Sequence, residues 1–188
     1  MTDYQKLYTG IGRAAWGYFF IYFDFNINTV SILPSFVGYL LFLSAINYMC
    51  DEERELNLLR TLGGILAFWH GASWLASWVS LDLDGMLQAA DIIIGVVNIY
   101  FHFQLLTNLA SIAAKYQPEY YELDEKLLRY RTVQTIMLTS VTILSYFSKW
   151  LEGFGIFVSI CMVIVYLIVG ILLMKALFTL RRCWIVDI

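Results

Sequence analysis

Two histidines are the residues best able to move a proton near neutral pH inside the apolar parts of this chain. His70 and His102 fall in separate apolar stretches, and around His102 further polar residues recur at helical spacing. Plotted at 100° per residue, one narrow arc holds Gln88, Asp91, Gly95, Asn98 and His102. The pattern predicts a helix with one polar face, suited to a proton relay, to attraction of a cation or to hydrogen bonding with a solute.

Spacing along a helix limits which of these polar groups can meet. Asp91 and His102 are separated by about 16 Å along a helix axis, so a relay between them needs Asn98 and water. Arg13 and Asp24 are also about 16 Å apart, less than the ~30 Å hydrocarbon core of a membrane. Two interpretations fit this second pair: buried charge partners facing a cavity, or an arginine that snorkels inward and an aspartate that ends the helix.

No catalytic or metal-binding motif accompanies these residues in the sequence. The three cysteines (Cys50, Cys161 and Cys183) are odd in number and widely separated, which favours neither a disulfide framework nor a zinc site. A bis-histidine haem site requires both ligands at one depth. Residue counting places His70 near the middle of its stretch and His102 toward one end. We therefore expect a non-enzymatic protein without a metal or cofactor.

The elements that must position these residues are long apolar helices. The chain is 60% hydrophobic and only 14% charged, which is too apolar for a water-soluble domain of 188 residues. Crossing a membrane takes roughly 20 helical residues. Apolar stretches that approach or exceed this length predict six spans in one all-α transmembrane domain, arranged as three hairpins, at about residues 8–25, 34–50, 61–80, 87–112, 131–148 and 153–178.

The basic residues predict how these spans are oriented. Of the 12 lysines and arginines, all except Lys149 fall on the side that also holds both termini. Because basic residues are retained on the cytoplasmic side of a membrane, we expect the N and C termini to be cytoplasmic. The lipid bilayer is then the main partner, and nothing in the charge pattern indicates a nucleic acid.

A cytoplasmic segment at about residues 118–130 has its own amphipathic pattern. Tyr120, Leu123, Leu127 and Tyr130 recur at helical spacing, and charged residues form two i,i+4 pairs, Glu122–Lys126 and Glu125–Arg129. This pattern predicts a short helix that lies on the inner membrane surface or docks a partner.

Three of the predicted spans carry a polar stripe. Besides the face around His102, the third span has Gly63, His70, Ser73 and Ser77, and the fifth has Thr132, Thr135, Thr139 and Thr142. Helix packing through small and hydroxyl residues explains such stripes, and so does a shared hydrated pocket or proton or ion path.

Residues 24–41, with I-L-P-S-F-V-G-Y-L-L at their end, resemble a pattern in small bacterial multi-pass membrane proteins of no assigned activity. That resemblance implies a location in the bacterial plasma membrane. A fainter similarity in architecture links the chain to the substrate-binding subunits of energy-coupling-factor transporters. In those subunits a small-residue pattern docks a partner, and here Gly10, Ala14 and Gly17 approximate it.

The leading hypothesis is a transport or small-solute-binding membrane subunit with a polar interior site. Its candidate residues are His70, Asp91, Asn98 and His102, with Asp24 and Arg13 as charge partners, and its ligand is a small solute or a cation. The alternative is an interaction or regulatory subunit without its own ligand, which binds another membrane protein or a second copy of itself. An intramembrane enzyme or haem protein ranks third.

Overall fold

The computed structural model describes residues 4–23, 26–27, 30–31, 34–78, 88–118, 120–147 and 154–184. The helices in this part of the chain are α1 (Tyr4–Tyr22), α2 (Ser35–Met49), α3 (Leu56–Trp78), α4 (Gln88–Tyr116), α5 (Leu123–Phe147) and α6 (Phe154–Arg182). Two short strands, β1 (Asn26–Ile27) and β2 (Val30–Ser31), pair antiparallel between α1 and α2. The all-α prediction is confirmed, with this β ribbon as an addition.

The six helices form a closed ring. Each helix packs against the next one in the chain, and α6 returns to pack against α1. The interior of the ring is filled by side chains from several helices at once, with Tyr18 from α1, Phe42 from α2 and Phe101 from α4 all fully buried. Residues that face this interior are therefore shielded on every side by the chain itself.

Glycines set the closest approach in the ring, between α1 and α2. A Cβ atom on Gly38 would lie 2.8 Å from the carbonyl oxygen of Gly17, and one on Gly17 would lie 2.7 Å from the ring of Phe42. Gly10 and Ala14 are buried on the same side of α1. Gly10 and Gly17, two of the three small residues in the pattern that resembles a docking motif, thus pack against the protein's own second helix.

The outer surface of the ring is rich in large apolar side chains. On α3, Leu58, Phe68 and Leu75 are each more than 60% exposed, and α6 presents a similar row from Ile160 to Leu172. Among the described helices, Ala89–Tyr116 and Ile160–Arg182 are long and apolar enough to cross a membrane. The other predicted spans do not pass that test, because α2 is about 22 Å long and the beginning of α5 carries several charges.

Residues 123–130 do not form the separate amphipathic helix that their pattern predicts. They are the first turns of α5, and Leu123 and Leu127 are buried in the core of the ring. The ion pair between Glu125 and Arg129 is present at 3.5 Å, on the exposed side of the same turns. The protein itself therefore covers Leu123 and Leu127 of the predicted apolar face, whereas Tyr120 is 78% exposed.

Gln117 caps the beginning of α5. Its Oε1 accepts hydrogen bonds from the backbone N–H groups of Leu123 and Asp124, and its Nε2 donates to Asp124 Oδ1 at 2.5 Å. This hydrogen bond lowers the pKa of the Asp124 carboxyl below its ordinary value. The side chain of one residue thus satisfies helix-end donors that would otherwise have no partner in the helix.

Candidate functional site

Tyr39 joins three helices at the centre of the ring. Its side chain is 1% exposed, and its hydroxyl donates a hydrogen bond of 2.8 Å to Oδ1 of Asn98 on α4. Its ring stacks on the imidazole of His70 on α3, with centroids 5.0 Å apart and planes inclined by 11°. Ser35, at the start of α2, lies 3.5 Å from Nδ1 of the same histidine. His70 and Asn98, two candidate residues from the sequence, therefore both contact Tyr39.

His102 faces the same tyrosine from α4. It is 2% exposed, and its ring centroid lies 6.1 Å from that of Tyr39 and 5.5 Å from that of Tyr18 on α1. Residue counting placed the two histidines at different depths, yet both contact Tyr39. We call this group the tyrosine–histidine cluster and define it as Tyr18, Tyr39, His70, Asn98 and His102.

Several polar atoms of this region are buried without a hydrogen-bond partner among the described residues. They are the hydroxyl oxygens of Tyr18 and Tyr22 and Nδ1 of His102. Tyr22 lies one turn from Tyr18, and its ring is 4.4 Å from that of Tyr166 on α6. A buried polar group left unsatisfied costs about 1–3 kcal/mol, so each of these three atoms lacks a partner that would stabilise the fold.

The charged residues proposed with this site lie elsewhere or outside the described residues. The guanidinium of Arg13 donates to the hydroxyl of Ser44 and lies 4.6 Å from the ring centroid of Tyr48, both on α2. Asp24 lies outside the part of the chain that the structure describes. Arg13 is thus used in the packing of α1 against α2, and its pairing with Asp24 stays a prediction.

Asp91 lies at the N-terminal end of α4, away from the cluster. It is half-buried in the first turn, where the positive end of the helix dipole favours a carboxylate. Asn98 follows two turns later, about 10 Å along the helix axis. Of the polar face predicted on α4, the part from Asn98 to His102 belongs to the cluster.

The threonine stripe on α5 is satisfied locally. The hydroxyls of Thr132, Thr135 and Thr142 each donate to the carbonyl oxygen four residues earlier, at 2.8–3.0 Å. A Cβ atom on Gly95 would lie 3.8 Å from the methyl group of Thr142, where α4 and α5 pack together. The Gly95–Thr142 contact favours helix packing at that end of the stripe, as small and hydroxyl residues commonly provide between membrane helices, whereas Thr132 and Thr139 are exposed.

Three residues of the interior were missed by sequence reasoning. Tyr18 and Tyr39 lie in aromatic-rich stretches, where one tyrosine cannot be distinguished from others that face lipid. Gln134 lies between two threonines of the α5 stripe but points the other way. It is 1% exposed, and neither Nε2 nor Oε1 has a hydrogen-bond partner among the described residues. The one available indication was an uncharged amide inside an apolar stretch.

Charged groups gather at the end of the ring that holds the turn between α2 and α3. Glu53 contacts Lys115 at 3.3 Å and Ser111 at 2.9 Å, both on α4, and Glu52 accepts a hydrogen bond from the hydroxyl of Tyr116. These contacts fasten the turn to α4. Among the described residues, no group of three or more histidine, cysteine or acidic side chains is arranged to hold a metal ion.

A separate cavity of about 470 Å³ opens near the connection between α4 and α5. Tyrosines dominate its lining, which comprises Tyr116, Gln117, Pro118, Tyr120, Tyr121, Thr179, Arg182 and Cys183. Burial raises the pKa of the Cys183 thiol. Arg182 gives the cavity a guanidinium group, which suits an acidic group more than a basic one.

The resemblances noted from the sequence stay predictions, because comparison with known proteins gives them no support. No protein-family model, no curated protein and no solved structure matches this chain.

Proposed function

We propose that this protein is a multi-pass membrane protein that binds a small solute inside its ring of helices, as a transport or solute-binding subunit without catalytic activity. One observation carries the proposal. Tyr18 and His102 lie with their rings 5.5 Å apart in the interior, and each presents a buried polar atom that has no partner among the described residues. A site of this kind is completed by a bound molecule.

The proposed membrane arrangement has all six helices crossing the bilayer of a bacterial inner membrane, with both termini in the cytoplasm. The asymmetric distribution of lysine and arginine supports this orientation. The exposed apolar rows on α3, α4 and α6 support burial in lipid, since monomeric soluble proteins rarely expose such large apolar patches. Helices shorter than the hydrocarbon core are accommodated by local thinning of the bilayer.

The chemistry of the cluster favours recognition by hydrogen bonds. Phenol hydroxyls donate and accept, an imidazole does both through its two nitrogens, and the amide of Asn98 offers a further pair of groups. These side chains come from four helices, and the Tyr39–Asn98 hydrogen bond and the Tyr39–His70 stacking hold part of the cluster in place. A solute that enters exchanges its hydrogen bonds with water for hydrogen bonds with a preorganised site.

The experiment that tests the proposal is solute-dependent thermal stability of the purified full chain in detergent. A bound solute stabilises the folded state by an amount that rises with the logarithm of its concentration, to about 2.7 kcal/mol at 100 times its dissociation constant. We expect at least one solute from a panel of small polar and ionic compounds to raise the Tm of the wild type. Tyr18→Phe, which removes one hydroxyl, should abolish the increase.

Tyr100→Phe is the matched control, because Tyr100 is half exposed on the outside of α4. It should keep the full increase in Tm. The proposal fails if no compound in the panel stabilises the wild type, or if Tyr18→Phe is stabilised as much as Tyr100→Phe.

A second candidate function is supported by the cavity beside the α4–α5 connection. Tyr120 at its edge is 78% exposed, and Arg182 lines it, which suits an acidic segment of a partner membrane protein. Tyr120→Ala and Arg182→Ala should then abolish co-purification of that partner without changing the stability of the chain. Leu123 and Leu127 are unsuitable for this test, because both are buried in the core.

A further inference from the structure

Gln134 is buried on the face of α5 that points into the ring. Leu127, seven residues earlier, and Met137, three residues later, lie on the same side of the helix and are also buried. Leu127 belongs to the same continuous core as Tyr18 and the other aromatic residues of the interior. The amide of Gln134 is therefore directed toward the interior and away from lipid.

Two contacts between α4 and α5 determine the depth of Gln134 along the helix axes. Arg131 donates a 2.9 Å hydrogen bond to Thr107, and further along the two helices Gly95 faces Thr142. These pairs show that α5 runs antiparallel to α4 with a constant register. Three residues beyond Arg131, Gln134 lies opposite residue 104 of α4, about 3 Å along the axis from His102. The amide thus faces the interior at the depth of the tyrosine–histidine cluster.

The groups that meet at this depth carry no full charge of the kind that holds an ion. The groups with unsatisfied atoms are the phenols of Tyr18 and Tyr22, the imidazole of His102 and the carboxamide of Gln134, and together they offer both donors and acceptors. The nearest guanidinium along α5, that of Arg131, donates one N–H to Thr107 and lies 4.3 Å from the ring centroid of Phe103, while its buried Nε has no partner among the described residues. A cation transferred here loses its hydration without gaining a counter-charge, and an anion meets a guanidinium that already donates to Thr107, whereas an uncharged solute exchanges one set of hydrogen bonds for another.

We propose that the solute is a small uncharged molecule with both hydrogen-bond donors and acceptors, such as a simple amide or polyol, and that Gln134 contacts it together with Tyr18, Tyr22 and His102. This inference rests on the proposed function and specifies its ligand class. Gln134 offers this solute both kinds of hydrogen-bonding group, because its amide carries two N–H donors and a carbonyl oxygen acceptor.

The test measures the Tm of the full-length protein in detergent with acetamide or glycerol as neutral probes and potassium chloride or sodium glutamate as ionic probes, all at millimolar concentration. We expect a neutral probe to raise the Tm of the wild type and the ionic probes to leave it unchanged. Gln134→Leu and Gln134→Met should lose the increase. Both should fold, since removing an unsatisfied buried amide stabilises the ligand-free protein.

Thr135→Val is the matched control, because the Thr135 hydroxyl donates to the Arg131 carbonyl of its own helix. It should keep the increase in Tm. Equal stabilisation of the wild type and both Gln134 variants by a neutral probe overturns the role of Gln134. Stabilisation by an ionic probe alone, lost in Tyr18→Phe, overturns the ligand class but leaves the proposed function intact. No stabilisation by any probe overturns both.

Discussion

The hydroxyl oxygen of Tyr39 lies 2.8 Å from Oδ1 of Asn98. This one hydrogen bond joins α2 to α4 across the interior, while the other face of the same side chain stacks on His70 of α3. Because three helices meet at a single phenol, the positions of both histidines depend on it. Tyr39 is thus a positioning residue for the site, and its substitution should alter the packing of α3 and α4 against α2.

Removing the Tyr39 hydroxyl tests this dependence. Tyr39→Phe leaves the stacking on His70 in place but leaves Oδ1 of Asn98 without its donor, which should cost about 1–3 kcal/mol. For a chain of this size we expect a fall in Tm of about 2–4 °C for each kcal/mol. The measurement is thermal unfolding followed by tryptophan fluorescence.

A double-mutant cycle with Asn98→Ala isolates the hydrogen bond. The double variant should lose less stability than the sum of the two single variants, because each single change already removes the same bond. Strict additivity would show that Tyr39 and Asn98 do not interact in the folded protein.

The contact between Gly17 and Gly38 predicts a large difference between two glycine substitutions. Gly38→Ala places a methyl group 2.8 Å from the carbonyl oxygen of Gly17, so α1 and α2 must separate, and we expect a loss of about 1–3 kcal/mol. Gly64→Ala meets nothing within 4 Å, and should be neutral or stabilising by up to about 1 kcal/mol. Equal Tm values for the two variants would contradict the close α1–α2 packing.

The cap at the start of α5 predicts a stability change with a pH-dependent part. Gln117→Leu removes the hydrogen bonds to Leu123 and Asp124, and losing a helix cap costs about 0.5–2 kcal/mol. The folded-state pKa of Asp124 is lowered by Gln117, so that bond stabilises the protein above the ordinary carboxyl pKa of 3.8. Its contribution is lost as the pH falls through the lowered pKa.

The Tm difference between wild type and Gln117→Leu should therefore be largest near neutral pH and smaller in acid. A difference should remain in acid, because the hydrogen bonds from the backbone N–H groups of Leu123 and Asp124 to Gln117 do not depend on pH. Asp124→Asn should remove most of this pH dependence. A difference that is constant from neutral pH to below pH 3.8 would show that the Gln117–Asp124 bond contributes nothing to stability.

The proposed topology predicts the side of each terminus. A green fluorescent protein fused after Ile188 should fluoresce, since it folds in the cytoplasm, and an alkaline phosphatase inserted at Gly85 should be active, since it folds outside. Both expectations follow from the clustering of basic residues on one side of the predicted spans. An inactive phosphatase at Gly85 would show that this loop faces the cytoplasm and that the six-span topology is wrong.

Local sequence patterns predicted several features of the fold correctly. The second apolar stretch, at residues 34–50, overlaps α2, which begins at Ser35. The helical spacing of Asn98 and His102 predicted a polar face on α4, and both residues contact Tyr39. These features were accessible because they depend on the periodicity and end signals of a single helix.

Other expectations failed because a helix face does not reveal what covers it. Gly10, Ala14 and Gly17 resembled a docking surface, but Gly10 and Gly17 pack against α2. The apolar face of residues 118–130 resembled a membrane-surface helix, but Leu123 and Leu127 join the core. Small or apolar residues at helical spacing pack equally well against lipid, a partner or the next helix of the same chain.

The sequence by itself determined that the chain is helical and unusually apolar, that its basic residues favour one side, and that two histidines and an asparagine sit on apolar helices. Only the tertiary structure decided that these residues share Tyr39, that Arg13 binds Ser44 instead of entering the site, and that Gln134 faces the interior. The physical reason is that register and rotation between helices arise from contacts such as Gly17–Gly38 and Arg131–Thr107, which join residues far apart in the chain.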